Sequence, residues 1–225
     1  MVPSFNKIIL MLIMIFLVSC KSKSGYITNF SNTDVLLDIT KETNDTLFVN
    51  LKNYSKDFSY DMKYATIDNF LKKKVYPCAE CFLRVKTVKS LLNANKSFLA
   101  KGYTIRLYDC YRPLAIQKKM WKIVPNANYV ANPKRGSIHN KGGAVDITLI
   151  DSSGTELNMG TKFDFFGKEA SHNYLDFSEE ILANRKFLKE TMLQNNFKSF
   201  DSEWWHYNLN NSGEDKVSNL KWHCN

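Results

Sequence analysis

The chain has 225 residues, of which 44% are hydrophobic and 13% aromatic, enough for one buried core and too apolar for an intrinsically disordered protein. Its formal charge is +9, yet Lys and Arg are scattered rather than massed. Lys72-Lys73-Lys74 reads as a solvated face, so no nucleic-acid partner is expected.

In chain order, Lys7 precedes an unbroken apolar run from Ile8 to Val18 that ends at Ser19-Cys20. A positive start, a short apolar stretch and a small residue at the cut predict a secretory signal rather than a membrane span. The ending Leu17-Val18-Ser19-Cys20 resembles a bacterial lipobox, which implies cleavage before Cys20, lipidation of its thiol and an exported, membrane-anchored lipoprotein. Residues 1–19 are then the signal peptide, 20–44 the lipidated cysteine and a polar tether, and 45–225 the folded domain. The tether holds one strand candidate, Val35 to Ile39, and Leu47 to Leu51 is a second.

Apolar side chains at Phe82, Val85, Val88, Leu91, Leu92, Phe98 and Leu99 predict one amphipathic helix over 82–99, stopped by Gly102. Tyr103 to Tyr108 alternates as a strand. Pro113 opens a second helix to Val124, and Asn126 to Ser137 reads as a loop. Ala144 to Ile150 alternates strictly, with Val145, Ile147 and Leu149 on one face and Ala144, Asp146 and Thr148 on the other. Asp176 and Ser178 precede a helical pattern through Met192, and Trp204 to Leu209 closes as a strand. Helices and strands do not alternate regularly, which predicts an α+β fold with an antiparallel sheet flanked by helices.

Beyond Cys20 the chain has Cys78, Cys81, Cys110 and Cys224. A structural zinc site would need a second Cys-x-x-Cys pair, and no thioredoxin-like pattern surrounds this one. One or two disulfides are expected, with three pairings open.

The chemistry-bearing residues gather in two segments, Ser137-Ile-His139-Asn-Lys-Gly142-Gly-Ala144-Val-Asp146 and Glu203-Trp204-Trp205-His206. Two imidazoles and one carboxylate, His139, Asp146 and His206, make a three-ligand set that suits zinc and leaves a position for water. Glu203 is close enough in sequence to serve as its proton acceptor. His139 and Asp146 are seven apart, so one continuous strand would point them to opposite faces. Gly142 and Gly143 therefore predict a turn, with His139 on a loop and Asp146 on a strand. By the same reasoning Glu203 belongs to a turn or bulge before the last strand. His172, His223 and Tyr111 read as structural, and Trp204 and Trp205 as core and pocket wall.

The pattern Ser-x-His-x-x-Gly-x-Ala-x-Asp followed by Glu-x-Trp-His resembles the D-alanyl-D-alanine dipeptidases, zinc D,D-peptidases that share the fold of the Hedgehog signalling domain. Asp61-Met-Lys-Tyr64-Ala-Thr-Ile-Asp-Asn-Phe70, Asp109-Cys-Tyr-Arg112-Pro and Met159-Gly-Thr-Lys-Phe-Asp164 extend the match over residues 45 to 209. The resemblance implies one zinc ion per chain on His139, Asp146 and His206, with Glu203 as general base and acid. It implies that Arg112 steadies the carbonyl oxygen, that Asp164 and Tyr64 receive the substrate ammonium, and that Ser137 touches substrate. The expected reaction is hydrolysis of D-Ala-D-Ala in cell-wall turnover or salvage, the alternative being a D,D-carboxypeptidase or endopeptidase acting on longer wall peptides.

Overall fold

The computed structural model describes residues 26–27, 36–127, 129–222 and 224. The signal run, Cys20, Val35 and His223 lie outside them. The elements are β1 (Tyr26–Ile27), β2 (Phe48–Asn50), β3 (Ser59–Tyr60), β4 (Phe82–Arg84), α1 (Val85–Leu99), β5 (Thr104–Asp109), α2 (Leu114–Ile123), β6 (Ala144–Ile150), α3 (Glu179–Gln194), β7 (Phe197–Phe200), β8 (Glu203–Leu209) and β9 (Lys221–Trp222).

Five strands form the central sheet in the order β3-β5-β6-β8-β7. All its pairings are antiparallel except the short parallel edge of β3 on β5. β2 pairs with β4 and β1 with β9 as separate ribbons. The alternating β6 sits in the middle and is buried along its whole length, so its polar face as well as its apolar face is shielded from water. α1 and α3 pack against each other and on the sheet. Val88, Leu91 and Phe98 of α1 meet Leu188 and Met192 of α3 in one core, with the Phe98 and Phe187 rings 5.3 Å apart, edge to face. Burying each such side chain stabilises the fold by about 1.5–3 kcal/mol. Ser178 caps α3, its Oγ accepting from the Ile181 amide, and Lys72, Lys73 and Lys74 are all exposed.

Several expectations need correction. Leu36 to Asp38 is not a strand, and Ile39–Lys41 is a 3-10 turn. The Asp38 carboxylate accepts from the Thr40 amide at 2.9 Å, a local bond that competes with strand pairing. The helix expected over 82–99 begins only at Val85, because Phe82–Arg84 pairs with Phe48–Asn50. A strand buried on both faces has no alternation to reveal it. β3 and β7 were too short or too exposed to read from pattern.

Two disulfides tie the frame, Cys81–Cys110 and Cys78–Cys224. The first joins β4 to the end of β5, and the second anchors the C-terminal segment, whose Trp222 packs on Tyr76 and Phe82.

Candidate active site

The turn that the paired glycines predict is present. His139 opens a 3-10 turn, His139–Lys141, which ends at Gly142 with φ +71°. A side chain there would be strained, and its Cβ would lie 2.3 Å from Phe48 Cε1. β6 then begins and carries Asp146, directly opposite His206 on β8. His139, Asp146 and His206 are all buried, and their ligand atoms lie within 4.8 Å of one another.

The hydrogen bonds behind the two imidazoles decide which nitrogens face the centre. His139 Nδ1 lies 2.7 Å from the Cys110 carbonyl and must donate to it, which leaves the lone pair on Nε2. His206 Nε2 lies 2.9 Å from Asn208 Oδ1, and donating there leaves the lone pair on Nδ1. These two atoms are 3.2 Å apart. Asp146 Oδ1 stands 3.3 Å from the first and 2.9 Å from the second. Three lone pairs converging in a buried space repel one another unless a cation lies among them. The charge preference of His206 says the same. Burial opposes its protonation, yet the hydrogen bond and charge of Asp146 raise its pKa to about 9. Asp146 is opposed by burial too, but the facing imidazoles hold it well below the usual carboxylate range. The donor set therefore fits a metal ion of borderline softness.

Glu203 reaches this centre through a bulge. Ser199 pairs with Tyr207 but its neighbour Phe200 pairs with Glu203, so β8 carries three extra residues against β7. Glu203 is thus the first residue of the strand rather than part of a turn before it, and the bulge turns it toward His206. Its Oε2 lies 3.9 Å from His206 Nδ1. Burial raises its pKa, partly offset by His206.

Arg112 is held in a buried polar frame. One terminal nitrogen donates to Asp109 Oδ2 and the other to Gln117 Oε1 at 2.9 Å, while the guanidinium lies over the Tyr64 ring at 5.2 Å. Asp109 also accepts from Tyr76 Oη at 2.6 Å and from the Cys110 amide at 2.9 Å. Gln117 in turn donates to the Ala131 carbonyl at 2.7 Å. Arg112 Nε is buried with no partner among the described residues.

Across the cavity Tyr64 Oη donates to both oxygens of Asp164, each at 3.1 Å. Asp164 is half-buried, and its pKa is raised well above the usual range by burial and by repulsion from Asp146. A cation arriving beside it would relieve both. Ser137 Oγ accepts from the His139 amide at 3.2 Å, which shapes the ligand-bearing turn. One cavity of about 650 Å³ is lined by all eight sequence-predicted residues: Tyr64, Arg112, Ser137, His139, Asp146, Asp164, Glu203 and His206. Trp205 forms part of its wall, whereas Trp204 is buried outside the lining and donates to Thr161 Oγ1 at 2.8 Å. Tyr111 is packed between Phe48 and Trp222.

Sequence reasoning missed three members of this site. Asp109 stood in the motif with Arg112 but carried no assigned role. Asn208 lies two residues after His206 on one strand, hence on the same face, a signal that was readable. Gln117 showed only as a polar residue between apolar neighbours on α2. His172 lies outside the cavity, against Tyr207.

The comparisons with known proteins agree with this geometry. The family described as D-ala-D-ala dipeptidase (Peptidase_M15) matches residues 44–221. The D-alanyl-D-alanine dipeptidase of Escherichia coli (strain K12) is 32% identical over 164 residues, 73% of this chain and 85% of that protein. That of Enterococcus faecium is 33% identical over 171 residues, 67% of this chain and 85% of that protein. Among solved structures, a variant of the vancomycin resistance D,D-pentapeptidase VanY in complex with Zn(II) covers 57% of this chain and 73% of its own. Its identity is 16% and its TM-score 0.39, a likeness too remote to carry weight.

Proposed function

The chain belongs to the D-Ala-D-Ala dipeptidase family of metallopeptidases, and from that premise we propose that it is a zinc-dependent dipeptidase releasing two D-alanines from D-Ala-D-Ala. The observation that carries this reading is the convergence, in one cavity, of a three-atom metal set with the hydrogen-bonded Tyr64–Asp164 pair.

His139 Nε2, Asp146 Oδ1 and His206 Nδ1 would hold the zinc ion. When bound, zinc supplies Lewis acidity that polarises the scissile carbonyl and lowers the pKa of the attacking water. The remaining work falls to side chains. Asp164 and the Tyr64 hydroxyl receive the substrate ammonium, which neutralises a carboxylate that burial otherwise disfavours. Glu203 takes the proton of the attacking water at Oε2 and returns it to the leaving nitrogen. Arg112, steadied by Asp109 and Gln117, donates to the carbonyl oxygen as it gains charge, a contribution of about 3–4 kcal/mol for a donor so placed. Ser137 holds the turn that presents His139 and offers its hydroxyl to the cavity.

The anchoring carboxylate also sets specificity. A substrate without a free amine would leave the half-buried Asp164 carboxylate without a cation to balance its charge, which sites of this kind reject.

We also propose that the enzyme is an exported lipoprotein attached through Cys20, acting on dipeptides freed by wall turnover. The apolar run before Cys20 and the lipobox-like ending support this, as do two disulfides of a kind that persist in oxidising compartments. Among the described residues no helix is long and apolar enough to cross a membrane, which leaves attachment to the N-terminal segment in this reading.

The test is alanine release from D-Ala-D-Ala, from its N-acetyl derivative and from a stem pentapeptide. The reading predicts rapid cleavage of the free dipeptide alone. Preferential cleavage of the pentapeptide would move the enzyme to wall trimming and remove the amine-anchoring role from Asp164.

A further inference from the structure

Residues 216–222 form a C-terminal strap that lines none of the catalytic cavity, yet three of its contacts lead to Arg112. The Trp222 ring packs edge to face on Tyr76 at 5.4 Å. Tyr76 Oη donates at 2.6 Å to Asp109, the carboxylate that accepts from the Arg112 guanidinium. The strap also caps α2. The Leu114 amide donates to the Ser218 carbonyl at 3.1 Å and the Ala115 amide to Asn219 Oδ1 at 2.7 Å, partners that the preceding Pro113 cannot offer from its own side chain. That helix carries Gln117, the second acceptor of Arg112. Finally, the Ser218 amide donates to the Asn140 carbonyl at 2.8 Å, and Asn140 Nδ2 donates to the Arg112 carbonyl at 2.7 Å. Side chain and main chain of the arginine thus rest, through one intermediary each, on the same short segment.

The fastening of this strap is exposed. Its strand β9 pairs only with the two-residue β1 among the described residues. Two residues beyond Trp222 stands Cys224, bonded to Cys78 across a separation of 146 residues. Cys78 is half-buried and Cys224 exposed, whereas Cys81 and Cys110 of the other bridge are wholly buried. A reductant in solution therefore reaches the strap's bond and not the one behind the metal set.

We propose that Cys78–Cys224 is a redox-sensitive fastener and the strap a positioning element for Arg112. With the bond closed, the arginine is held for the carbonyl oxygen; with it reduced, the hydrolytic step slows while zinc stays bound. The inference rests on the dipeptidase reading and adds a means of regulating that site. The reductant is a dithiol. One of its thiolates attacks a sulfur of the Cys78–Cys224 bond and expels the other protein sulfur as a thiolate, and its second thiolate then displaces the first. Two electrons pass to the protein, two protons from water complete the cysteine thiols, and the dithiol leaves as a disulfide. Zinc is retained because the imidazole supports, the Cys110 carbonyl and Asn208, lie outside the strap, and Cys110 stays tied by the buried bridge.

The test uses the zinc-loaded full chain and D-Ala-D-Ala, with the paired variant Cys78→Ser and Cys224→Ser, the variant Arg112→Ala, and all three substitutions together. The paired serines are expected to lower kcat about tenfold, to move KM by less than about threefold, and to leave one zinc ion per chain. On the Arg112→Ala background the same serines should cost less than about twofold, because the group they position is gone. A second arm acts on wild type that has already folded. A water-soluble phosphine, itself oxidised to the phosphine oxide, should expose Cys78 and Cys224 to alkylation before Cys81 and Cys110, with the same fall in kcat, and reoxidation of unalkylated protein should restore it. Unchanged kcat in either arm overturns the proposal. So does zinc lost in step with activity, or an equal loss with and without Arg112. Oxidised, zinc-loaded wild type that leaves the dipeptide intact overturns the dipeptidase reading instead, and the catalytic role of the strap with it.

Discussion

At the scale of single residues, the site is governed by partners that fix a proton or a donor in place. Gln117 shows this most simply. It is fully buried, and it joins the Arg112 guanidinium to the Ala131 carbonyl of the cavity loop. Gln117→Leu would leave both groups without that partner. In the proposed mechanism Arg112 meets charge that develops only as the bond breaks, so the loss should fall on kcat by about tenfold, with KM moving less than about threefold. Steady-state kinetics beside a denaturation curve separates this from general unfolding. His172 offers a prediction of a different sort. Burial, with the charges of Lys189 and Arg185, lowers its pKa from 6.5 to about 4, against a weaker pull from Asp201. The folded state therefore resists a proton that the unfolded chain accepts. Above pH 6.5 both states are neutral and the residue is silent. As pH falls from 6.5 toward 4, the unfolded chain binds more protons and stability is lost, roughly 2 kcal/mol after allowing for partial exposure. His172→Gln should flatten the acid side of the stability profile measured by denaturant midpoint, whereas an unchanged profile would show that His172 is not its source.

At the scale of elements, the lesson concerns where periodicity stops being informative. β6 was legible residue by residue because its alternation is strict, and α3 because Ser178 announces its start. The same reading extended α1 backwards over Phe82–Arg84, since a strand buried on both faces is as continuously apolar as a helix interior. The Glu203–His206 spacing asks for a turn or a bulge before the strand; the structure supplies the bulge, but within the strand, since nothing in four residues of sequence states that the β7 ladder will slip past three of them. The candidate ligands were readable from their joint motif, and the two glycines marked the turn between His139 and Asp146. Their supports were not, because Asp109, Gln117 and the Cys110 carbonyl act through tertiary neighbours. That last contact makes the Cys81–Cys110 bridge part of the site. The disulfide closes a separation of 29 residues, for which chain entropy predicts about 3–4 kcal/mol of stabilisation. Replacing both cysteines by alanine should lower the unfolding free energy by that order. It should also weaken metal binding, because the Cys110 carbonyl orients His139. Chelator competition at a temperature where the variant remains folded reads the second effect separately, and an affinity equal to wild type would detach the bridge from the metal set.

At the scale of the whole molecule, the central sheet acts as a ruler for the site. β6 and β8 set Asp146 opposite His206, β5 leads into the Asp109–Arg112 frame, and the loops after α2 and β6 bring Ser137 and Asp164 to one cavity. No single element holds more than part of the chemistry, so the site exists only when the sheet is assembled. That assembly makes one demand, a cation among the lone pairs of His139, Asp146 and His206, and it makes one claim, that this cation runs dipeptide hydrolysis. The most direct measurement is to strip the protein with a chelator, titrate it with zinc, and follow D-Ala-D-Ala cleavage and bound metal together. Activity should rise from near zero in proportion to bound zinc and saturate at one ion per chain. Full activity in the stripped protein, or saturation with zinc and no cleavage, would contradict the account.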